Sequence, residues 1–254
     1  MTINKELKDT FGRVAKLYDR ARIGYPKKLI QDIISASEIR KEDKILDIGC
    51  GSGQSTILFG EKDYNILGLD IGKDLIEIAR GKAQNLPNVK FESISFEETK
   101  LEDNSFNLVI SAQAWHWLDE KVVYKKAHRI LRAGGYLAIF WKAQDYTQSK
   151  FVTEVRELYK KHCPNIKDPM RKRALEAELP GSGLFEDFTK KTYTKKVGYT
   201  KKEYRDFVST LSWIISLTED QKKGFFLEFD ALLEKQEENF TVPYIYTLVM
   251  SKKK

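Results

Sequence analysis

Cysteine is scarce: Cys50 and Cys163 are the only two in 254 residues. Two isolated thiols make no disulfide framework, and they do not have metal-ligand spacing. No apolar run approaches the roughly 18 residues that would cross a bilayer. The stretch Met1 to Asp9 lacks the hydrophobic core of a secretion signal. Internal repeats and low-complexity linkers are also missing. These absences lead to the expectation of a soluble, cytoplasmic protein with no membrane anchor and no metal centre.

Charge of one sign is not lacking. Lys and Arg number 44 against 37 Asp and Glu, a net charge of +7. Such a balance can favour anionic partners. The basic residues are spread along the chain rather than gathered in one stripe, so nucleic acid is an unlikely partner. Hydrophobic residues at 41% and aromatics at 12% are enough for a large core. The length suits one α/β domain with insertions.

The periodicity predicts a helix over 5–20, with Leu7, Phe11, Val14, Ala15 and Tyr18 at helical spacing, and a second over 26–37 with Pro26 in its first turn. From residue 44 onward, short apolar runs alternate with helical stretches. Strands are predicted at 44–48, 64–70, 89–94, 106–111 and 136–141, with helices at 53–60, 74–84 and 121–131. A left-handed cap at Gly134-Gly135 is expected to end the last of these. Strands alternating with helices imply right-handed crossovers and a parallel sheet. Further on, helices are expected at 151–161, 201–217 and 219–238, with strands at 188–197 and 240–250. Trp213 reads as core, and Lys252-Lys253-Lys254 as a solvated tail.

The richest signal is Asp47-Ile48-Gly49-Cys50-Gly51-Ser52-Gly53. Three glycines follow a strand and open a helix, where a ligand can approach the backbone without meeting a Cβ. Asp70 ends the next strand, placed to accept the hydroxyl protons of a ribose. A dinucleotide fingerprint fails in both frames, because Gln54 or Thr56 stands where the third glycine belongs. No Gly-Lys-Ser/Thr follows, so a phosphate loop is excluded. An acidic residue two before the first glycine suits an adenosine ligand carrying an ammonium group, as S-adenosylmethionine does. The other reading of Asp47 is a loop cap accepting backbone N–H bonds.

At this point the chain resembles the class I S-adenosylmethionine-dependent methyltransferases, in particular the small-molecule group that includes trans-aconitate methyltransferase. Leu46 to Thr56 matches the first motif. Gly68 to Ile76 is similar to the ribose-binding turn, Ser105 to Asp119 to the fourth strand and its exit loop, and Leu131 to Gly135 to the turn before the fifth strand. Phe11, Ala15, Tyr18-Asp19, Arg22 and Tyr25-Pro26 resemble the segment that closes over the cofactor. The resemblance implies a Rossmann-like, seven-stranded, mostly parallel sheet with helices on both faces. It divides the single domain into an N-terminal helical lid (1–38), a cofactor-binding core (39–142), a helical insertion (143–184) and C-terminal elements completing the sheet (185–254).

The resemblance also implies roles. Gly49, Gly51 and Gly53 would border the methionine part of the cofactor, beside Asp47. Asp70 would bind the ribose and Ile71 would pack on the adenine. The turn from Ile94 through Ser95 and Phe96 to Glu97 would meet the adenine edge, although many relatives carry Gly-Asp at Ile94-Ser95. Gln113 would face the methionine end. Asn107, where relatives usually carry Asp, reads as a surface change.

Methyl transfer from a sulfonium asks the protein to align the reactants and exclude water. A base is required only for an acceptor that must lose a proton. His116, within Trp115-His116-Trp117, is the candidate base, with packing between indoles as the alternative. His128 and His162 read as structural or exposed. Tyr18, Arg22 and Tyr25 are candidate acceptor-binding residues, and Arg22 suits a carboxylate. The expected acceptor is a small molecule, a carboxylate among the classes it fits, and the expected assembly a monomer or homodimer. RNA or protein methylation, and cofactor binding without turnover, are the alternatives. An NAD-dependent oxidoreductase is disfavoured by Gln54 and Thr56.

Overall fold

The run Ile45-Leu46-Asp47-Ile48 is buried along its whole length, as a strand covered on both faces must be. A computed structural model, describing residues 15–164 and 178–254, places it near the middle of a seven-stranded sheet. The first half contains α1 (Ala15–Ala21), α2 (Lys27–Ser37), β1 (Lys44–Ile48), α3 (Gln54–Gly60), β2 (Asn65–Asp70), α4 (Lys73–Lys82), β3 (Val89–Ser93) and β4 (Phe106–Ala112). After a 3-10 turn at Trp115–Trp117 come α5 (Glu120–Ile130), β5 (Leu131–Gln144), α6 (Lys150–His162), β6 (Phe185–Thr200), α7 (Lys201–Ser209), α8 (Ser212–Ile215), α9 (Glu219–Leu233) and β7 (Asn239–Lys253). Phe11, Val14 and the rest of the first 14 residues lie outside the described residues, as do 165–177 of the expected insertion.

The sheet order is β3-β2-β1-β4-β5-β7-β6. Strands β1 to β5 pair in parallel, β7 is antiparallel to β5, and β6 is antiparallel to β7. Only β7 therefore runs against the rest, in agreement with the mostly parallel sheet expected. The period of two divides neighbouring residues between two core layers. Ile45, Leu108, Ile110 and Phe140 pack on one face with Leu29, Ile33, Phe151, Tyr204 and Phe229 of the flanking helices. Leu46, Val109, Leu137 and Ile139 pack on the other with Val123, Ala127 and Ile130 of α5.

Several expectations need correction. Pro26 caps α2 from outside rather than sitting in its first turn. The helix α5 ends at Ile130, and Leu131 is already extended, so Gly134-Gly135 is not its cap. The glycines instead lie within β5, where a Cβ on Gly135 would sit 3.0 Å from the carbonyl oxygens of Asn107 and Arg132. The helix expected over 201–217 breaks after Ser209. The Ser209 and Thr210 hydroxyls donate to the carbonyls of Asp206 and Phe207, replacing helical backbone bonds. The helix from Glu219 stops at Leu233, five residues early. Lys252 and Lys253 form no loose tail: both belong to β7, and the Lys253 ammonium donates to the Leu131 carbonyl at 2.7 Å. Asn107 is more than a surface change, since its side-chain oxygen accepts from the Lys44 N–H at 3.3 Å.

Phe140 ties this core to the lid. It is fully buried in β5, and its ring meets Tyr25 edge-on at 4.9 Å. Phe140→Ala should cost about 3–5 kcal/mol of stability, as emptied aromatic core sites do. Chemical denaturation with an unchanged m-value is the check.

Candidate active site

The cleft lies at the carboxyl ends of β1, β2 and β4, the position where open α/β sheets receive ligands. Its floor is the glycine loop. Gly49 has φ +70°, and a Cβ there would fall 2.2 Å from the Ala114 Cβ. Gly51 has φ +55° with open space where its Cβ would be. Both sit in the left-handed region that side chains resist. Gly53 also has positive φ, but its neighbours are Phe91, Ala79 and Ile57, so it faces helix packing rather than the cleft.

Asp70 fixes the loop to the tip of β2. One carboxylate oxygen accepts the Gly51 N–H at 2.9 Å, and the other accepts the Gly72 N–H at 2.8 Å. Both carboxylate oxygens are thus held by backbone N–H groups at the edge of the cleft. A cavity of about 130 Å³ opens beside it, lined by Asp70, Ile71, Leu75, Ser95, Phe96 and Leu118 among others. The largely apolar slot, with the carboxylates of Asp70 and Glu97 in its walls, has a composition that suits an adenosine. Ser95 accepts the Glu98 N–H through its hydroxyl oxygen at 3.1 Å. Phe96 is almost fully buried, at 2% exposure.

Asp47 lies elsewhere than expected. It is fully buried below the loop, and neither cavity includes it in its wall. Its donors are neither an ammonium nor backbone amides but the hydroxyls of Ser55 and Thr56, at 2.6 and 2.7 Å. The residue thus binds β1 to the first turn of α3.

A second cavity, of about 180 Å³, adjoins the first along Tyr18, Gly49, Gly51, Ala112, Gln113 and Trp117. Tyr18, Arg22 and Tyr25 close it from the lid side, and His116 also lines it. Gln113 holds a left-handed φ of +62°, a strain costing on the order of 1 kcal/mol. Its amide donates to the Lys142 carbonyl at 3.1 Å and accepts the Lys142 N–H at 3.3 Å. Gln113 therefore bridges the ends of β4 and β5 while facing both cavities.

The lid is pinned by several contacts. Arg22 donates to the Thr210 carbonyl at 3.1 Å, and its own carbonyl accepts from Gln54 at 3.2 Å. The Lys142 ammonium donates to the Ile23 carbonyl and lies 4.9 Å from the centre of the Tyr25 ring. Burial holds the Tyr25 hydroxyl well above its ordinary pKa.

Most of the far wall went unread in the sequence: Lys142, Tyr146, Tyr159 and Tyr244 line this cavity together with Trp213, which read as core. For Lys142 a signal existed, since a lysine directly after the apolar run 136–141 falls at a strand's carboxyl end. Trp213 is cavity wall as well as packing, stacked edge-on against Tyr159 at 5.7 Å. His128 and His162 stand apart, against Phe185 and Glu228. Among the described residues no cluster of His, Cys, Asp and Glu is arranged to hold a metal.

Residues 46–139 match the family model described as a methyltransferase domain. An uncharacterized methyltransferase of Mycobacterium tuberculosis is 30% identical over 164 residues, 65% of this chain. The match covers 64% of that relative's length. A Schizosaccharomyces pombe uncharacterized methyltransferase is 25% identical over 218 residues, 85% of this chain and 84% of its own. The solved structure of Bacillus subtilis YcgJ has the same fold, with a TM-score of 0.56 at 18% identity, covering 90% of this chain and 99% of that one.

Burial pushes the pKa of Asp47 up to about 6; the Ser55 and Thr56 hydroxyls pull it down and the nearby Asp70 charge raises it further. A carboxyl with a higher pKa folded than unfolded stabilises the fold fully below its unfolded value, about 3.9. That contribution is lost as pH rises through about 6. Melting curves of wild type and Asp47→Asn between pH 4.5 and 7.5 test this. The wild type should lose on the order of 2–3 kcal/mol relative to the variant across the window.

Proposed function

We propose, from the premise that this chain belongs to the class I S-adenosylmethionine-dependent methyltransferases, that it transfers a methyl group to a small-molecule acceptor held under the lid. The observation carrying this reading is the pair of adjoining cavities that meet at Gly49, Gly51 and Gln113. One has the carboxylate and apolar slot an adenosine requires. The other is an aromatic chamber of small-molecule size.

In this reading Asp70 holds the ribose, already oriented by its two backbone partners. Ile71 and Phe96 contact the base, and the Ser95 hydroxyl donates to its edge. The open space beside Gly51 admits the methionine portion, flanked by Gly49. Gly53 and Asp47 support these positions from behind the loop rather than by contact. When bound, S-adenosylmethionine supplies a methyl group already activated on a sulfonium. The chain's remaining work is alignment and the exclusion of water. Tyr18, Arg22 and Tyr25 close the chamber from the lid, which serves both ends.

His116 is the one histidine among the chamber's lining residues. For an acceptor with a hydroxyl or amine, its imidazole takes the proton the acceptor must lose. For a carboxylate acceptor no base is needed, and His116 then only packs, its ring 5.1 Å from that of Trp117.

Two measurements test the reading. S-adenosylhomocysteine should bind in calorimetry, and Asp70→Asn should weaken it by about ten- to hundredfold, the range for hydrogen bonds to a charged group. Unchanged affinity would mean that the ribose sits elsewhere. His116→Ala should lower kcat by at least about tenfold with S-adenosylhomocysteine affinity intact if the imidazole acts as base; equal turnover returns it to packing.

A further inference from the structure

Four residues in the wall of the lid chamber carry a buried polar atom with no hydrogen-bond partner: Ser52 Oγ on the glycine loop, and Arg22 Nε, the Tyr159 hydroxyl oxygen and Trp213 Nε1 on the lid and the far wall. Buried polar groups in native proteins are nearly always paired, so four orphans around one cavity call for an explanation. All four can donate, and guanidinium and indole nitrogens can do nothing else. Burial, with neighbouring Tyr146 and Tyr244 adding to it, raises the Tyr159 pKa well above the ordinary value, so its hydroxyl keeps its proton.

The chamber's charge agrees. Among the described residues its walls contain Arg22 and Lys142 and no aspartate or glutamate. An ammonium-bearing acceptor would find no counter-charge there. An anionic one would meet a fixed guanidinium, held by its bond to Thr210 and by stacking 4.5 Å from Tyr18 and 5.2 Å from Phe207. Tyr159 and Trp213 are positioned as rigidly, edge to face at 5.7 Å, with Phe225 stacked behind Tyr159.

We propose that Arg22, Tyr159 and Trp213 form a carboxylate-binding subsite that selects an anionic, flat methyl acceptor. This rests on reading the lid chamber as the acceptor site. A carboxylate could also come from the methionine end of the cofactor. The acceptor is favoured because these three residues line only the lid chamber and are absent from the strip it shares with the adenosine cavity.

The test is calorimetry with benzoate and cinnamate, and with their neutral amides, on free protein and on protein saturated with S-adenosylhomocysteine. Tyr159→Phe and Trp213→Phe remove one donor each and keep the ring. Both acids should bind the loaded protein, the amides at least about tenfold more weakly. Each variant should lose about tenfold in acid affinity while holding S-adenosylhomocysteine as wild type does. The melting temperature of Tyr159→Phe without ligand should be unchanged or higher, because the hydroxyl it loses has no partner. Acids binding no better than amides would overturn the subsite. So would variants that weaken S-adenosylhomocysteine but not the acids, which would assign the donors to the cofactor's carboxylate. If S-adenosylhomocysteine fails to bind while the acids bind and respond to both variants, the subsite stands and the methyl-transfer reading falls.

Discussion

The cleft depends on the hydrogen bond from the Gly51 N–H to the Asp70 carboxylate, 2.9 Å long. It joins the loop after β1 to the end of β2, two elements that parallel pairing brings side by side. It extends the tie made by the Gly49 and Cys50 N–H groups, which both donate to the Leu69 carbonyl, at 2.8 and 3.0 Å. The second oxygen of Asp70 holds the Gly72 N–H and so sets where α4 begins. One carboxylate thereby positions the loop and the following helix. Asp47 acts one layer lower, tying β1 to the hydroxyls that open α3. The two acids divide the work: the buried one secures the helix, and the other holds the loop and lines the cleft.

This division explains what could be read from the sequence. Strand, loop, helix and Asp70 are local, and their chemistry is carried by residues within about two dozen positions of one another. Asp47 was legible as important but not in its role. A carboxylate before a glycine loop looks the same whether it faces a ligand or a pair of hydroxyls, and Ser55 and Thr56 were the residues that decided it. The lid chamber was only half legible. Tyr18, Arg22 and Tyr25 come from one short segment, whereas Lys142, Tyr159, Trp213 and Tyr244 come from a strand end, two helices and the last strand. No spacing rule links them. They meet because β7 turns back between β5 and β6, and because α6, α7 and α9 cover that side of the sheet.

That far side is crowded with rings. Tyr204 packs against Phe151, Tyr199, Phe207, Phe229 and Phe240, and Tyr244 reaches Phe207. The hydroxyls within this cluster are paired: Tyr199 with Tyr244 at 2.9 Å, and Gln144 with both Tyr204 and Tyr244. A core built this way can satisfy its polar atoms internally, and for these tyrosines it does. The contrast with Tyr159 and Trp213 is therefore informative. They sit at the edge of the same cluster, with the same kinds of neighbours, and their polar atoms are left without partners.

The lid adds the last constraint. Lys142, Thr210, Gln54 and Tyr246 hold four consecutive residues, Arg22 to Tyr25, through three carbonyls, one guanidinium contact and one ring. These anchors come from β5, the end of α7, α3 and β7, so the lid's position reports on every wall of the chamber. Arg22 spends its Nη2 on the Thr210 carbonyl and leaves Nε unmatched. A guanidinium fixed at one corner and unsatisfied at another is already oriented, and an anion meeting it need not pay the ordering cost of a free arginine. The contact that pins this segment and the donor left unmatched beside the chamber thus belong to one side chain.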